Sequence, residues 1–404
     1  MSDPREQSVT AAAAPLTIGV CGAGTMGAGI AQVCLQAGHE VLLYDVDEQA
    51  RERGRHRVGE GLLRLVEKGR LEVEEHDRLL TSLRDAHSLE ELAEESDLVI
   101  EAALEDLALK QTIFRALGAS ARPNALLATN TSALSVSDIA EASGMPDRVL
   151  GLHFFNPAPV MPLVEVVAGE STSAEAIEAA TRFAEGLGKT PVVCRDAPGF
   201  IVNRVNRPFT LEALRMVEAT EASIEAIDAA VTDAGYPMGP FALIDLVGVD
   251  VNLAVAEALW AASDGAVRFT PSPIQRSLVE LGRLGRKTGE GFYRYHHGTP
   301  TGPAEGLAEA GVAEPAAASL GAEEIVSRIE LGIINEAYHA AGEGVAEPSD
   351  IDRAMKLGAN HPYGPFERAG QLGLREVIDG LTQLEALHGE RYQIAPALWQ
   401  IASI

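Results

Sequence analysis

The sequence predicts an α/β domain with a parallel sheet, followed by an all-α region that is present in two copies. Three observations lead to this prediction. Short apolar runs alternate with helical segments over the first half of the chain, which is typical of βαβ units. From Phe200 onward the pattern is helical. Within that second half, one set of motifs occurs twice at nearly constant spacing.

The composition excludes several classes of function. The chain has 404 residues, of which 46% are hydrophobic and 23% charged, and this suggests two or three globular domains. The formal net charge of −27 argues against nucleic acid as a partner, because a phosphate-binding surface must be basic. No apolar run could span a bilayer, and residues 1–14 lack the pattern of a secretory signal. We therefore expect no membrane partner and interpret residues 1–14 as a disordered leader.

The cysteines are Cys21, Cys34 and Cys194. They form no CxxC pair, and no Cys/His cluster has the spacing of a metal site. We expect reduced structural thiols in a cytoplasmic protein, and no bound metal.

The first βαβ unit contains a glycine-rich turn. Leu16–Cys21 is a short apolar run that predicts a buried parallel strand. Gly22-Ala-Gly-Thr-Met-Gly27 follows, and then a segment of helical periodicity that ends at Gly38. His39–Asp45 predicts a second strand, whose terminal acid lies 18 residues beyond the last glycine. A GxGxxG sequence in this setting predicts a dinucleotide-binding fold of the Rossmann type.

Each glycine of the turn has a physical task. Gly22 permits the tight turn, Gly24 lets the backbone approach a pyrophosphate, and Gly27 lets the helix pack closely on the strand. The helix N-terminus, with Thr25 and Met26, would supply N–H groups and positive potential to the phosphates. The alternative is a glycine-rich turn that binds nothing.

Asp45 indicates which dinucleotide is bound. Its carboxylate would accept hydrogen bonds from the ribose hydroxyls and repel a 2′-phosphate, and no Arg or Lys follows it directly. The sequence therefore predicts NAD rather than NADP.

Residues 47–82 predict two helices, the first of which is strongly basic. Its basic residues are Arg51, Arg53, Arg55, Arg57, Arg64, Lys68 and Arg70. One interpretation is a solvated helical hairpin, and the other is a basic arm that reaches over a phosphorylated substrate. Composition alone leaves both open.

Polar residues follow the later strands. Strands are predicted at 97–102, at 125–132, where the strand runs into a polar turn, and at 148–153, 164–167 and 190–194, with a helix at 173–187. Polar side chains at the carboxyl ends of parallel strands lie where an open α/β sheet binds its ligands. Ser132 is therefore a candidate site residue, and a helix cap or turn residue is the alternative.

His153 and Glu165 stand in the apolar segment GLHFFNPAPVMPLVEV at Gly151–Val166. Such a histidine is either a base that the acid holds in place or a buried histidine with an ordinary hydrogen bond. The predicted strand brings His153 to the same edge of the sheet as Ser132, which favours the first interpretation.

The helical half contains a repeat. IVNR at Ile201–Arg204 and GYPMGPF at Gly235–Phe241 correspond to IVSR at Ile325–Arg328 and NHPYGPF at Asn360–Phe366. Asp228 and Asp352 are separated by the same spacing as the two arginines. We predict a duplicated helical domain whose second copy is degenerate, because Ser327 replaces Asn203. Two such copies would pack as a pseudo-symmetric pair, a contact that a single-copy relative would make by dimerising.

The domain boundaries follow from changes in pattern. The strand signal ends at Asp196–Gly199, and residues 296–320 are rich in Gly, Pro, Ala and Glu. We expect a nucleotide-binding domain at 15–197 with the helical hairpin at about 47–82, a first helical domain at 198–295, a flexible linker at 296–320 and a second helical copy at 321–404.

Several long motifs resemble one family. NTSALS at Asn130, GLHFFNPAPVMPLVEV at Gly151, DAPGFIVNR at Asp196, GYPMGPFALID at Gly235 and GRKTGEGFYRY at Gly285 are similar to those of the L-3-hydroxyacyl-CoA dehydrogenases, including the 3-hydroxybutyryl-CoA enzymes. The resemblance covers residues 16–295 nearly continuously, and the copy at 322–404 is similar to the longer bacterial members, among them the 3-hydroxyadipyl-CoA type. It implies reversible NAD-dependent oxidation of a short-chain L-3-hydroxyacyl-CoA in fatty acid or aromatic acid degradation.

The resemblance also implies roles for individual residues. His153 and Glu165 match the proton-handling pair of the family, and Ser132 and Asn203 match its active-site serine and asparagine. The cofactor-binding residues that it implies are Gly22, Gly24, Thr25, Met26, Gly27, Asp45, Glu105, Lys110, Asn130, Ser132, Asn156 and Lys287. The hairpin would hold coenzyme A, and the substrate contacts would be Lys68, Ser132 and Asn203. A serine that touches coenzyme A in relatives falls near Gly61 here, which puts that contact in doubt.

Two other functions compete with this interpretation. One is a dehydrogenase of a small hydroxy acid without coenzyme A, which the basic hairpin argues against. The other is a non-catalytic, crystallin-like protein of the same fold, which the intact set of catalytic candidates argues against. The sequence leaves open the length and charge of the acyl chain, and whether the chain is a monomer with an internal pseudo-dimer or a homodimer.

Overall fold

The structure, a computed structural model, describes residues 15–313, 315 and 320–402. The predicted leader at 1–14 lies outside the described residues. The chain divides into two compact units. The first contains the described residues up to Thr131 together with Val136–Pro191, and the second contains Ser132–Ser135 and the described residues from Val192 onward. The division therefore differs from the predicted boundary at residue 197.

Two polar groups of Ser132–Ser135 bond within the second unit. Asn203 Nδ2 donates to the carbonyl oxygen of Ser132 at 3.1 Å, and Ser135 Oγ donates to Asp196 Oδ2 at 3.2 Å. These partners are distant in sequence, so composition gave no sign that this short turn leaves the first unit.

The first unit is an α/β structure. Its strands are β1 (Thr17–Cys21), β2 (Glu40–Tyr44), β3 (Leu83–Asp85), β4 (Leu98–Glu101), β5 (Leu126–Thr129), β6 (Val149–Phe154), β7 (Leu163–Ala168) and β8 (Thr190–Arg195), the last of which contains the border between the units. Its helices are α1 (Thr25–Gln36), α2 (Glu48–Glu67), α3 (Val73–Thr81), α4 (Leu89–Glu95), α5 (Leu107–Ser120), α6 (Val136–Ala142) and α7 (Ala174–Gly186).

These eight strands form one sheet in the order β3-β2-β1-β4-β5-β6-β7-β8. Neighbours from β3 to β6 are parallel, whereas β7 runs antiparallel to β6. The strand order changes direction at β1, because β2 and β3 lie on one side of it and β4 and the later strands lie on the other. Such a reversal opens a crevice at the carboxyl ends of the strands. The apolar runs of β1, β4 and β6 are buried, as expected for strands covered on both faces.

One short strand and two short α-helices of this unit were not predicted. They are β3, α4 and α6, which span Leu83–Asp85, Leu89–Glu95 and Val136–Ala142. A strand of three residues is too short to show an alternating pattern, and α4 is a polar helix with Leu92 and Ala93 as its buried residues.

The second unit is mainly helical. Its helices are α8 (Val202–Val205), α9 (Arg207–Glu218), α10 (Ile224–Asp233), α11 (Pro240–Val247), α12 (Val249–Ala262), α13 (Pro273–Glu280), α14 (Ala322–Gly342), α15 (Pro348–Gly358), α16 (Pro365–Leu372), α17 (Leu374–His388) and α18 (Pro396–Ala402). Short 3-10 helices lie at Val267–Phe269 and Glu390–Tyr392, before α13 and α18. Every helix of the described residues is too short or too polar to cross a bilayer.

The helices α9–α13 and α14–α18 share local features in the same order. Asp228 accepts hydrogen bonds from the backbone N–H groups of Phe241 and Ala242 at the start of α11. Asp352 accepts the corresponding bonds from Phe366 and Glu367 at the start of α16. A glycine with positive φ stands between α11 and α12 and again between α16 and α17.

Part of the predicted flexible linker has regular structure. It contains part of an antiparallel hairpin of β9 (Tyr293–His296) and β10 (Thr299–Pro303), followed by a 3-10 helix at Leu307–Ala310. Tyr293 and Tyr295 alternate along β9, and their hydroxyls donate to Asp228 and Asp245 at 3.0 and 3.1 Å. These two bonds anchor β9, the strand that leads into the predicted linker.

Candidate active site

The glycine-rich turn joins β1 to α1. Gly22 has a φ of +104°, and a β-carbon at this position would lie 2.6 Å from the carbonyl oxygen of Ala102. Gly24 differs, because a β-carbon there would meet no atom within 4 Å. Gly24 is the N-cap residue of α1, and it is exposed together with Thr25. The turn thus leaves open space at a helix N-terminus, where an anion such as a pyrophosphate binds favourably.

Asp45 follows β2 and fixes the glycine-rich turn. Its Oδ2 accepts a hydrogen bond from the backbone N–H of Ala23 at 2.8 Å, and its Oδ1 accepts one from Asp47 at 3.0 Å. The carboxylate is therefore oriented by two backbone donors beside the turn. This is the place at which an acid can meet the ribose hydroxyls of a dinucleotide.

The predicted residues Glu105 and Lys110 lie together beyond β4. Lys110 Nζ is 3.3 Å from Glu105 Oε2, and it donates to Glu101 Oε1 at 2.6 Å. Lys110 is 1% exposed and Glu101 is completely buried. Sequence reasoning missed Glu101, although a carboxylate at the end of an apolar strand was a usable signal, because buried acids are rare unless they are paired.

Asn130 links the ends of β5 and β6. Its side-chain oxygen accepts a hydrogen bond from the backbone N–H of Phe154 at 2.8 Å. This bond holds the turn after β5 against the residue that follows His153.

His153 and Glu165 are partners across β6 and β7. The register of the antiparallel pair puts them directly opposite each other, and His153 Nδ1 lies 2.6 Å from Glu165 Oε2. His153 is 4% exposed and Glu165 is completely buried. The ring of Phe155 lies 4.5 Å from the imidazole ring, centroid to centroid. The histidine ring is therefore held by a buried acid on one nitrogen and by an aromatic neighbour.

Asn203 and Ser132 meet within the second unit. Asn203 is on α8, and the bond from its amide to the carbonyl oxygen of Ser132 fixes the orientation of that amide. The corresponding position in the second set of helices is Ser327, whose shorter side chain has no amide.

Among the described residues, Lys287, Lys68 and Asn156 bond to no other predicted site residue. Lys287 Nζ forms an ion pair with Asp250, at 2.5 and 2.7 Å from its two oxygens. Lys68 is the exposed C-cap residue of α2, and Asn156 is exposed and precedes Pro157 through a cis peptide bond.

Gly61 has no room for a side chain in this structure. A β-carbon would lie 2.0 Å from Gln32 Oε1, because α2 packs against α1 at this point. The position is therefore used for helix packing.

The basic residues of α2 divide into two groups. Four of them bond within the unit: Arg51 and Arg55 with Asp85, Arg53 with Asp47, and Arg57 with the carbonyl oxygen of Ala23. The other three, Arg64, Lys68 and Arg70, are exposed and form no ion pair with another described residue. The first group supports the hairpin itself, and the second remains available to an anionic ligand.

The described residues contain no group of three or more His, Cys, Asp or Glu side chains that could hold a metal ion. The three cysteines are free and buried.

Comparison with known proteins gives the family. Residues 17–197 match the model of the 3-hydroxyacyl-CoA dehydrogenase NAD binding domain, and residues 199–295 and 325–403 match that of the 3-hydroxyacyl-CoA dehydrogenase C-terminal domain.

Individual relatives agree with the family models. The 3-hydroxyadipyl-CoA dehydrogenase of Escherichia coli is 38% identical, over 96% of this chain and 97% of that protein. The mitochondrial hydroxyacyl-coenzyme A dehydrogenase of Rattus norvegicus is 42% identical, over 68% of this chain and 90% of that protein. The crystal structure of 3-hydroxybutyryl-CoA dehydrogenase from Escherichia coli matches with a TM-score of 0.88 at 36% identity, and the match covers 96% of this chain and 98% of that one. This chain therefore belongs to the 3-hydroxyacyl-CoA dehydrogenase family.

Proposed function

We propose that the protein catalyses the reversible, NAD-dependent oxidation of a short-chain L-3-hydroxyacyl-CoA to the 3-oxoacyl-CoA. The observation that carries this proposal is the buried pair of His153 and Glu165, in the same unit as the glycine-rich turn. Oxidation of a secondary alcohol requires a base for the hydroxyl proton and an acceptor for the hydride on the carbon. Bound NAD supplies the hydride acceptor.

His153 is the proposed base. Since Glu165 bonds to Nδ1, the nitrogen that exchanges a proton with the substrate hydroxyl is Nε2. The carboxylate fixes the tautomer of the ring and stabilises the imidazolium that forms when the proton arrives. In the reverse direction the same nitrogen returns the proton to the oxygen of the 3-oxo group.

Ser132 and Asn203 are the proposed donors to the substrate. A hydroxyl and an amide are neutral groups that can hold a hydroxyl or thioester oxygen while charge shifts during the reaction. The bond between Asn203 and the Ser132 carbonyl supports this assignment, because it ties the two residues to one local arrangement.

Most of the proposed NAD residues belong to the first unit, whereas Ser132 and Lys287 belong to the second. We assign Gly22, Gly24, Thr25, Met26 and Gly27 to the pyrophosphate and Asp45 to the ribose of adenosine. The remaining proposed contacts are Glu105, Lys110, Asn130, Ser132, Asn156 and Lys287. For Lys287 to contact the cofactor, its ion pair with Asp250 would have to open or share the lysine.

Coenzyme A is the proposed carrier of the acyl group. Arg64, Lys68 and Arg70 support this proposal, because exposed cations that form no ion pair with another described residue suit the phosphates of coenzyme A. The relatives are named for 3-hydroxyadipyl-CoA and 3-hydroxybutyryl-CoA, and we propose a short acyl chain of this kind.

Absorbance of NADH with acetoacetyl-CoA tests the reaction directly. We expect oxidation of NADH by the full chain, and little activity with acetoacetate lacking coenzyme A. A panel of 3-hydroxybutyryl-CoA, 3-hydroxyhexanoyl-CoA and 3-hydroxyadipyl-CoA then identifies the acyl chain. Equal activity with the free acid would point instead to a hydroxy acid dehydrogenase, and absence of turnover with every thioester would contradict the proposal.

We also propose that the helical domain is duplicated, with the second copy at 321–404 in the place of a partner subunit. Arg204 on α8 pairs with Glu336 on α14, and Arg328 on α14 pairs with Glu212 on α9, so each proposed copy contributes an arginine that bonds to the other. Reciprocal contacts of this kind are the mark of a two-fold interface. The mass in solution by light scattering tests the proposal: we expect a monomer, and a dimer formed through α9 and α14 would contradict it.

The proposed compartment is reducing, such as the cytoplasm. Cys21, Cys34 and Cys194 are free thiols, and burial raises the pKa of Cys34 to about 12, which disfavours its reactive thiolate.

A further inference from the structure

A buried polar cluster lies at the carboxyl ends of β4 and β5. It consists of Glu101, Glu105, Lys110, Thr129 and Thr131, which we call the Glu101 cluster. Glu101 Oε1 accepts hydrogen bonds from Lys110 Nζ and from the backbone N–H of Ala103, both at 2.6 Å. Its Oε2 accepts one from the Thr129 hydroxyl at 2.7 Å. The fully buried Glu101 is therefore the centre of the cluster.

The cluster extends from Glu101 to the more exposed Glu105. Lys110 contacts Glu105 at 3.3 Å, and the Thr131 hydroxyl donates to Glu105 Oε1 at 2.5 Å. The side chain of Glu105 is 42% exposed, whereas that of Lys110 is 1% exposed. The carboxylate of Glu105 is therefore partly exposed to solvent, whereas Glu101 and Lys110 are buried.

The strand order places the cluster on one side of the crevice. Asp45 follows β2 on the other side, and the glycine-rich turn after β1 lies between them. In sheets of this topology a dinucleotide straddles the reversal of strand order, so the adenosine half lies toward β2 and the nicotinamide half toward β4 and β5. Gly22 packs directly against Ala102, the residue after Glu101, which joins the cluster to the turn.

The charges of the cluster sum to one negative charge. Two carboxylates and one lysine contribute, and Glu101 is the group that cancels the lysine. Burial, and then the nearby Glu101 carboxylate, raise the pKa of the Cys21 thiol on β1. The ring of the oxidised cofactor is cationic and that of the reduced cofactor is neutral, so a net negative charge near the ring stabilises the oxidised form more.

We propose that Glu101 is a positioning residue that neutralises Lys110 and so keeps the cluster net negative, which favours binding of NAD⁺ relative to NADH. The proposal rests on NAD binding by this unit, as in the proposed function. It does not depend on the identity of the acyl substrate. Without the Glu101 charge, the buried cation of Lys110 would cancel Glu105, and this electrostatic contribution in favour of the oxidised ring would be lost.

The test is the ratio of the two dissociation constants, measured with NAD⁺ and NADH by calorimetry on the full chain without acyl-CoA. Glu101→Gln keeps the size of the side chain and removes the charge. We expect NAD⁺ binding to weaken relative to NADH binding by about fivefold. Glu178→Gln on α7 removes an exposed carboxylate of the same unit and should leave the ratio unchanged.

A double variant separates charge from structure. Glu101→Gln/Lys110→Met has the same formal cluster charge as the wild type, so the ratio should return toward the wild-type value even if both affinities fall. Glu101→Asp should likewise keep the ratio. An unchanged ratio in Glu101→Gln, or an equal loss of both affinities in all three variants, would overturn the proposal. If the wild type binds neither cofactor, the proposed function fails instead.

Discussion

The carbonyl oxygen of Gly22 occupies the space that a β-carbon on Gly27 would need, at a distance of 1.8 Å. Gly27→Ala should therefore force the turn and α1 apart and lower the free energy of unfolding by about 1–3 kcal/mol. Gly24→Ala is the matched substitution, because a β-carbon there meets nothing and φ is −68°. It should fold normally and weaken NADH binding about tenfold, because the methyl group takes the space assigned to the pyrophosphate. Calorimetry and thermal unfolding of both variants check this, and normal NADH binding by Gly24→Ala would contradict the assignment.

His153→Gln should abolish most of the turnover and leave the cofactor bound. Removal of a general base costs about 10²- to 10⁴-fold in rate, and His153 has no place among the proposed NAD contacts. Steady-state kinetics with acetoacetyl-CoA and titration with NADH measure the two effects. Near-normal turnover in this variant would remove His153 from the mechanism.

Asp45 should determine the preference for NADH over NADPH. Asp45→Asn retains an oxygen for one of the two backbone donors, Ala23 or Asp47, and removes the charge that would repel a 2′-phosphate. We expect the ratio of kcat/KM with NADH to kcat/KM with NADPH to fall by about tenfold. Asp47→Asn, at the N-cap of α2, is the control that should keep the ratio. A preference that stays the same in Asp45→Asn would show that another residue excludes the phosphate.

Arg204→Met should destabilise the helical unit. Arg204 is buried, and its Nε and Nη1 lie 2.7 Å from carboxylate oxygens of Glu336 and Glu343, respectively. Without Arg204, the buried carboxylate of Glu336 keeps only its ion pair with Arg268 among the described residues. We expect the free energy of unfolding to fall by about 3 kcal/mol in urea denaturation. Arg182→Met breaks an exposed pair on α7 and should cost less than about 1 kcal/mol. Equal effects of the two substitutions would contradict this account.

His361 should make stability depend on pH. Burial lowers the pKa of His361 from 6.5 to about 4, and its Nε2 contacts Asn206 Oδ1 at 2.8 Å. Between these pKa values the unfolded chain binds a proton that the folded chain does not, so stability is lost as pH falls. From pH 7 to pH 5 the loss should be roughly 2 kcal/mol relative to His361→Gln.

The comparison with His361→Gln isolates this contribution. Burial raises the pKa of Asp228 and of Asp245 to about 6, and these acids act in the opposite direction over the same range. Their effect is present in both proteins and cancels in the difference. A difference between the two proteins that is independent of pH would contradict a neutral, buried His361.

Much of the first unit followed from local patterns. The glycine-rich turn, the strand before it and the acid after β2 are encoded within a short stretch, so their arrangement could be predicted from spacing. The repeat indicated that Asp228 and Asp352 hold equivalent positions, and the structure shows that each accepts hydrogen bonds from backbone N–H groups at the start of a helix. The hairpin at β9 and β10 could not be predicted, since it depends on hydroxyl bonds from Tyr293 and Tyr295 to acids far away in the sequence.

By itself, the sequence determined the residue types of the site: a histidine and an acid in one apolar segment, a glycine-rich turn and a strand-end acid. Only the tertiary structure decided how they meet. The antiparallel register of β6 and β7 puts His153 opposite Glu165, and the bond to Asn203 draws the Ser132 turn into the helical unit. The Glu101 cluster also depends on the fold, because Lys110 reaches back from α5 to the end of β4. The same physical reason applies to the His153–Glu165 pair, the Ser132–Asn203 bond and the Glu101 cluster. Hydrogen bonds and ion pairs are short-ranged and directional, so they form only after the sheet and helices have fixed which distant residues are neighbours.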